Sequence, residues 1–187
     1  MKPMTLSFLI AVVVWTVSSV QGQTPAGTAG TRPAAASASA NLMDSEGRSV
    51  GGAVLRQAPN GVLLQLNLKN ATPGVHGLHI HDVGRCDRPS FESAGNHFNP
   101  TNRQHGFLNP RGPHAGDLPN IEVPSSTELS SEYFLADVTL KPGAGTLLDA
   151  NGSSIVVHTG KDDYSTDPAG ESGERLACGP IVRAETQ

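Results

Sequence analysis

Pro59-Asn60-Gly61-Val62-Leu63-Leu64-Gln65-Leu66-Asn67-Leu68 decides the fold class. Positions 62, 64, 66 and 68 are all apolar while polar residues enter at 65 and 67, which is the period of a half-buried strand. Pro59-Asn60-Gly61 supplies a turn, and Ala53-Val54-Leu55 before it supplies the other arm of a hairpin. Further along, a second alternation sets Phe134, Ala136, Val138 and Leu140 on one face. A third apolar run, Ile155-Val156-Val157, follows the turn dipeptide Asn151-Gly152 and leads straight into His158. Aromatics make up 4% of the chain against 21 Gly and 14 Pro, a balance that suits short strands and many turns better than long helices. An all-β chain with one compact core is expected.

The ends of the chain read differently. Lys2, the apolar run Phe8 to Trp15 and the small and polar residues through Gly22 have the order of a secretory signal peptide, residues 1–22. The polar Thr16 to Gln23 stretch follows too soon for a spanning helix, which needs ~20 apolar residues, so no stable membrane insertion is expected after cleavage. Residues 23–40, almost entirely Ala, Gly, Ser, Thr and Pro, read as a disordered tether, and residues 41–187 as the domain. Without the leader the chain carries 12 Lys and Arg against 17 Asp and Glu. An acidic protein lacks the basic footprint that nucleic acid requires, and an anionic ligand must be drawn in by a local field.

Two segments resist a strand reading: Asp82 to about Glu122, and Thr159 to about Arg175. Loops of that length in a small domain are usually functional or disordered, and these carry most of the chemistry-bearing residues. All seven histidines lie between His76 and His158. His79 and His81 flank Ile80, so on a strand both rings project from one face while Ile80 enters the other. The first loop adds His97, His105, His114 and Asp117, and the far strand adds His158. Imidazole suits copper and zinc alike. Four imidazoles match the tetragonal preference of Cu(II), and three imidazoles with one carboxylate close a tetrahedral zinc site. Six histidines fill seven imidazole positions only if one is shared.

At this point the chain resembles a known family. Gly74-Val75-His76-Gly77-Leu78-His79-Ile80-His81, Gly95-Asn96-His97-Phe98-Asn99-Pro100, His114-Ala115-Gly116-Asp117-Leu118 and Gly173-Glu174-Arg175-Leu176-Ala177-Cys178-Gly179 are similar to the signature segments of copper/zinc superoxide dismutases. The resemblance implies a Greek-key β-sandwich, or flattened eight-stranded barrel, with two long functional loops. It implies one copper and one zinc ion per subunit: copper on His79, His81, His97 and His158, and zinc on His97, His105, His114 and Asp117, with His97 shared. By the same resemblance Asp162 orients His79 and His105, His76 supports a copper ligand from behind, and Arg175 guides the anion. Lys161 is a weaker candidate for attracting anions, and Asp163 reads as a solvated carboxylate. The implied reaction is dismutation of superoxide, with copper alternately reduced and reoxidised and His97 taking and returning a proton.

Cys86 and Cys178 are the only cysteines. In an exported chain, periplasmic or extracellular, a disulfide is the default, and the family has an equivalent bridge that pins the active-site loop near Arg175. Three other readings stay open: a metal-storing or metal-delivering protein on the same fold, a copper-only variant, and an adhesion sandwich with incidental metal. The resemblance also leaves a homodimer open.

Overall fold

The computed structural model describes residues 36–184; the signal-peptide reading and residues 23–35 of the tether lie outside them. Among the described residues the strands are β1 (Ser37–Asp44), β2 (Ser49–Ala58), β3 (Gly61–Leu68), β4 (Gly74–His76), β5 (Leu78–His81), β6 (Ile121–Val123), β7 (Leu129–Leu135), β8 (Ser154–His158), β9 (Arg175–Pro180) and β10 (Val182–Arg183). The hairpin falls where the Pro59-Asn60-Gly61 turn put it: β2 and β3 pair from Ala58↔Gly61 to Gly51↔Leu68. The main sheet runs β5-β8-β9-β1-β2-β3-β7, with β10 also on β1, and every pairing is antiparallel. The run β9-β1-β2-β3 is the Greek-key arrangement, in which a late strand returns beside the first of a meander. A separate ribbon pairs β4 with β6.

Val62, Leu64, Leu66 and Leu68 are all buried. They join one continuous apolar cluster with Leu42 of β1, Leu55 of β2, Ile80 of β5, Ile121 of β6, Ile155 of β8 and Ala177 of β9. Side chains from both ends of the strand order meet in that cluster, so the sheet curls around it. Each leucine buried this way contributes about 1.5–3 kcal/mol. A second, smaller cluster of Phe91, Ala94, Val156 and Cys178, with Cys86 against it, holds the loop after β5 to the opposite face of β8 and β9.

Two expectations need correction. Residues 37–40 of the tether belong to β1, where Ser37 pairs with Arg56 and Ala38 and Ala40 are buried; small side chains pack there against the neighbouring strands, so a low-complexity composition does not prevent pairing. The face assigned to Phe134, Ala136, Val138 and Leu140 also fails. Cross-strand partners share a face, and β3 aligns its buried residues Val62, Leu64, Leu66 and Leu68 with Leu135, Tyr133, Ser131 and Leu129. Odd positions therefore turn inward and Phe134 stands 57% exposed. The strand ends at Leu135, and Val138 and Leu140 reach the core from the irregular segment beyond it.

Candidate metal centre

Pairing with β8 sets His79 opposite Val156 and His81 opposite Ser154. Ile80 fills the core while the two imidazoles face the other way, beneath the long loop. His158 ends β8, beside a register shift against β9, and an isolated bridge ties His97 to His81. The four histidines are buried, and His79 and His97 lie with ring centroids 3.9 Å apart.

Each of these four rings keeps one buried nitrogen without a hydrogen-bond partner: His79 Nδ1, His81 Nε2, His97 Nε2 and His158 Nε2. Ligand atoms of the same four residues all fall within 4.8 Å of one another. Buried polar atoms are rarely left unpaired, and four unpaired imidazole nitrogens in one place are the donor set that copper takes. The opposite nitrogens are all engaged. His79 Nε2 lies 2.8 Å from Asp162, His81 Nδ1 3.0 Å from the Gly95 carbonyl, His158 Nδ1 3.2 Å from the Gly173 carbonyl and His97 Nδ1 2.9 Å from Asp117. Such outer partners fix tautomer and ring orientation.

His97 is different, because both of its nitrogens turn toward candidate ligands. On the Nδ1 side, Asp117 Oδ1 lies 2.9 Å from His97 Nδ1, 3.1 Å from His105 Nδ1 and 3.3 Å from His114 Nδ1, and His97 and His114 Nδ1 are 3.5 Å apart. A tetrahedron of ligands at ~2.0–2.1 Å has edges of about 3.3 Å, so these atoms are spaced to close around zinc. A second grouping whose ligand atoms lie within 4.8 Å of one another takes in His79, His97, His105 and Asp117 but not His114, although His114 Nδ1 lies 3.3 Å from Asp117. The other carboxylate oxygen, Oδ2, accepts the backbone N–H groups of Gly106 and His114.

Asp162 spans the two sets. One oxygen lies 2.8 Å from His79 Nε2 and the other 3.0 Å from His105 Nε2, with no part of the residue exposed. Asn120 accepts from its backbone N–H and donates to its carbonyl, both at 2.8 Å, and the Tyr164 backbone N–H donates to its carboxylate. Gly170, at φ 65°, passes so close that a Cβ there would overlap the Asp162 carboxylate and the His105 ring. His76 sits behind: Nδ1 lies 2.8 Å from the His158 carbonyl and Nε2 2.9 Å from that of Thr72. Asp163 does more than the solvated reading gave it, because Ser165, Thr166 and the Thr166 hydroxyl donate to it and shape a turn.

Electrostatics separate the rings. Burial is the main reason that His97 is pushed down to about 4 and His158 to about 3, with charge on neighbouring histidines adding to it. His79 and His81 shift down for the same reason. For His105, burial opposes charging, but the hydrogen bonds to Asp117 and Asp162 outweigh it and raise it to about 9. Burial would raise the two aspartates, yet their histidine partners hold both well below the carboxylate range. Without metal, the rings of His79, His81, His97 and His158 stay neutral with lone pairs available, the state that metal binding needs.

The histidines open on a cleft of about 540 Å³ lined by His81, His97, His114, His158, Arg103 and Arg175, among others. Half-buried Arg175 donates to the carbonyls of Phe91, at 2.5 Å, and Gly95, at 2.6 Å. Gly95 therefore positions both His81 and Arg175. The Cys86–Cys178 disulfide, Cα–Cα 5.7 Å, ties the same loop to β9. Lys161 is exposed and lies outside the residues lining this cleft.

A family model described as copper/zinc superoxide dismutase matches residues 49–181. The chain belongs to the copper/zinc superoxide dismutase family. It is similar to a Cu-Zn superoxide dismutase of Caulobacter vibrioides, with 45% identity over 148 residues that cover 78% of this chain and 85% of that one. It is also similar to Cu-Zn superoxide dismutase 1 of Aquifex aeolicus, with 43% identity covering 76% and 85%. A crystal structure of a double mutant of a superoxide dismutase-like protein from Bacillus subtilis superposes with a TM-score of 0.75 at 41% identity, covering 77% of this chain and 96% of that one. The Cu/Zn superoxide dismutase from Brucella abortus gives 0.61 at 31% identity, covering 78% and 99%.

Within this superoxide dismutase-family chain, sequence reasoning missed Asn120, Tyr164, Gly95, Gly173 and Gly170. Asn120 and Tyr164 carry no motif that separates them from ordinary loop residues. Gly95 and Gly173 act through backbone carbonyls, and only their place inside the quoted segments marked them.

Proposed function

We propose that this chain disproportionates superoxide, two superoxide anions and two protons giving dioxygen and hydrogen peroxide, with one copper and one zinc ion per subunit. His79 Nδ1 and the Nε2 atoms of His81, His97 and His158 would hold copper; the Nδ1 atoms of His97, His105 and His114 with Asp117 would hold zinc. Bound copper supplies one-electron exchange with superoxide, while zinc, which has no redox chemistry, supplies fixed charge and order.

The remaining work falls to the chain. Arg175 presents its guanidinium to the cleft and draws a small anion toward the histidines, offsetting the acidic net charge locally. His97 Nε2, buried and without a hydrogen-bond partner, has one lone pair that could serve copper or a proton but not both at once. It would hold a proton only when it does not hold the metal, and then release it to the product. Asp117 keeps the other side of that ring in place. Asp162 holds His79 and His105 in the tautomers that turn their Nδ1 atoms inward.

The observation that carries this reading is the double engagement of His97, whose two ring nitrogens face the two ligand sets. Superoxide consumption by protein loaded with copper and zinc tests it, beside a His158→Ala control that retains zinc. Full turnover by the control, or none by the loaded wild type, would sink the reading. For localisation we propose export, which the disulfide and the leader-like residues 1–22 support. For quaternary state we propose a homodimer; sedimentation of the purified protein should show a dimer, and a monomer at all concentrations would overturn it.

A further inference from the structure

Five of the six clustered histidines have a clear account of the nitrogen that does not face Asp117 or the unpaired set. His79 and His105 give theirs to Asp162, His81 to Gly95 and His158 to Gly173, while His97 has both nitrogens turned inward. His114 is the exception. Its Nδ1 faces Asp117, and its Nε2 faces a single carboxylate, Asp167 Oδ1, at 4.0 Å. That is too long for a direct hydrogen bond, and a water bonded to both atoms at ~2.8 Å would span it only at a tight angle of about 90°.

Asp167 is well placed to close the gap. Its Oδ1 already accepts the backbone N–H of His105 at 2.7 Å, so one oxygen borders two members of the proposed zinc set. The Asp163 turn, and the hydrogen bond from Gly170 N–H to the Thr166 carbonyl at 2.7 Å, fix the segment that carries it. Asp167 comes from the loop between β8 and β9, whereas His105 and His114 come from the loop after β5. The side chain is 44% exposed and lines the cleft, so it has room to move about 1 Å.

We infer that Asp167 is the positioning residue for His114: with Nδ1 on zinc, the Nε2–H donates to Asp167, which orients the ring and couples zinc retention to the second loop. The inference rests on the zinc set proposed above. Outer partners of metal-bound histidines typically contribute 10- to 100-fold in affinity. An exposed partner belongs near the low end of that range, because solvent screens its charge.

The experiment is chelator competition on the holoprotein, following zinc and copper separately, for wild type, Asp167→Ala, Asp167→Asn and a His105→Ala control. The expected result is a zinc dissociation constant raised roughly 10-fold in Asp167→Ala and by less in Asp167→Asn, which keeps an acceptor for the His105 N–H. Copper affinity should stay at the wild-type value in both variants, and the melting temperature of the metal-free protein should stay there in Asp167→Asn, which keeps the acceptor for the His105 N–H. Cobalt(II) in place of zinc should show shifted visible bands in Asp167→Ala. Unchanged zinc affinity and unchanged cobalt bands in both Asp167 variants would overturn the inference, as would equal loss of both metals with a lowered metal-free melting temperature. If His105→Ala also retains zinc, the zinc set itself is wrong, which is a distinct failure.

Discussion

Asp162→Asn conserves volume and removes one charge from a carboxylate that is fully buried. In the wild type its two oxygens lie 2.8 and 3.0 Å from His79 Nε2 and His105 Nε2. If both rings bind metal through Nδ1, both Nε2 atoms carry hydrogens, and a carboxylate accepts from each. An amide has one acceptor oxygen and one NH₂ group, so whichever way it turns, one imidazole N–H meets another donor. The loss is a hydrogen bond to a charged group, about 1.5–3 kcal/mol, at one ring, and a weaker neutral bond at the other. Spread over the two sites, this should lower affinity roughly 10- to 100-fold for the metal whose ligand is left facing the NH₂ group, and less for the other. That factor corresponds to ~1.4–2.7 kcal/mol.

The assay is chelator competition with copper followed by its visible absorbance and zinc by a chromogenic chelator. Loss of both metals in unequal measure is expected, with circular dichroism showing the strands intact. Wild-type affinity for both metals would refute the bridging role of Asp162. Loss of one with the other untouched would mean that it serves a single ring.

Four further outcomes follow from the same geometry. Arg175→Glu should slow superoxide consumption most at low ionic strength, where steering is strongest, with metal content nearly unchanged; equal losses of metal and activity count against a guiding role. Replacing Cys86 and Cys178 together by Ser should lower stability by roughly 2–5 kcal/mol, read from denaturant midpoints, and should free the loop that seats Arg175. Leu64→Ala removes a fully buried side chain and should cost about 2–5 kcal/mol, whereas Phe134→Ala, on the outer face, should shift the midpoint far less. In metal-free protein, the lowered values of His97 (about 4) and His158 (about 3) lie below an unfolded value near 6.5. The unfolded chain then binds more protons, so stability should fall as pH drops from ~6.5 toward 4, by up to ~1.4 kcal/mol per unit for each ring. His105, raised to about 9, works the other way, its contribution being complete below ~6.5 and lost as pH rises through 9. Equal midpoints at pH 5 and 7 would contradict the histidine pattern.

The hairpin and its inward face were legible because alternation in β3 and a turn dipeptide are local signals. The misassigned face of β7 shows where such signals end. Leu129 to Leu140 contains apolar residues at both parities, and only the register with β3 chooses between them. The same limit applies at the site. His79 and His81 announce themselves by spacing two on a strand, and His97, His105, His114 and Asp117 by their place in quoted segments. The carbonyls of Gly95 and Gly173 hold His81 and His158, and the amide of Asn120 holds Asp162, through contacts 14 to 42 residues distant in sequence.

Which residues could touch metal is therefore a question of side-chain type, readable along the chain. How firmly they are held is a question of loop packing, in which the outer partner can be any residue that carries an oxygen. His76 illustrates the division: by type it could pass for a ligand, yet both its nitrogens lie against carbonyls, of His158 and Thr72, and neither is left over for an ion. The unpaired nitrogens of His79, His81, His97 and His158 reverse that condition. Since an unpaired buried polar atom costs about 1–3 kcal/mol, this cluster destabilises the metal-free fold, and metal binding relieves the strain. The chain should therefore gain more stability from copper than contact area alone predicts.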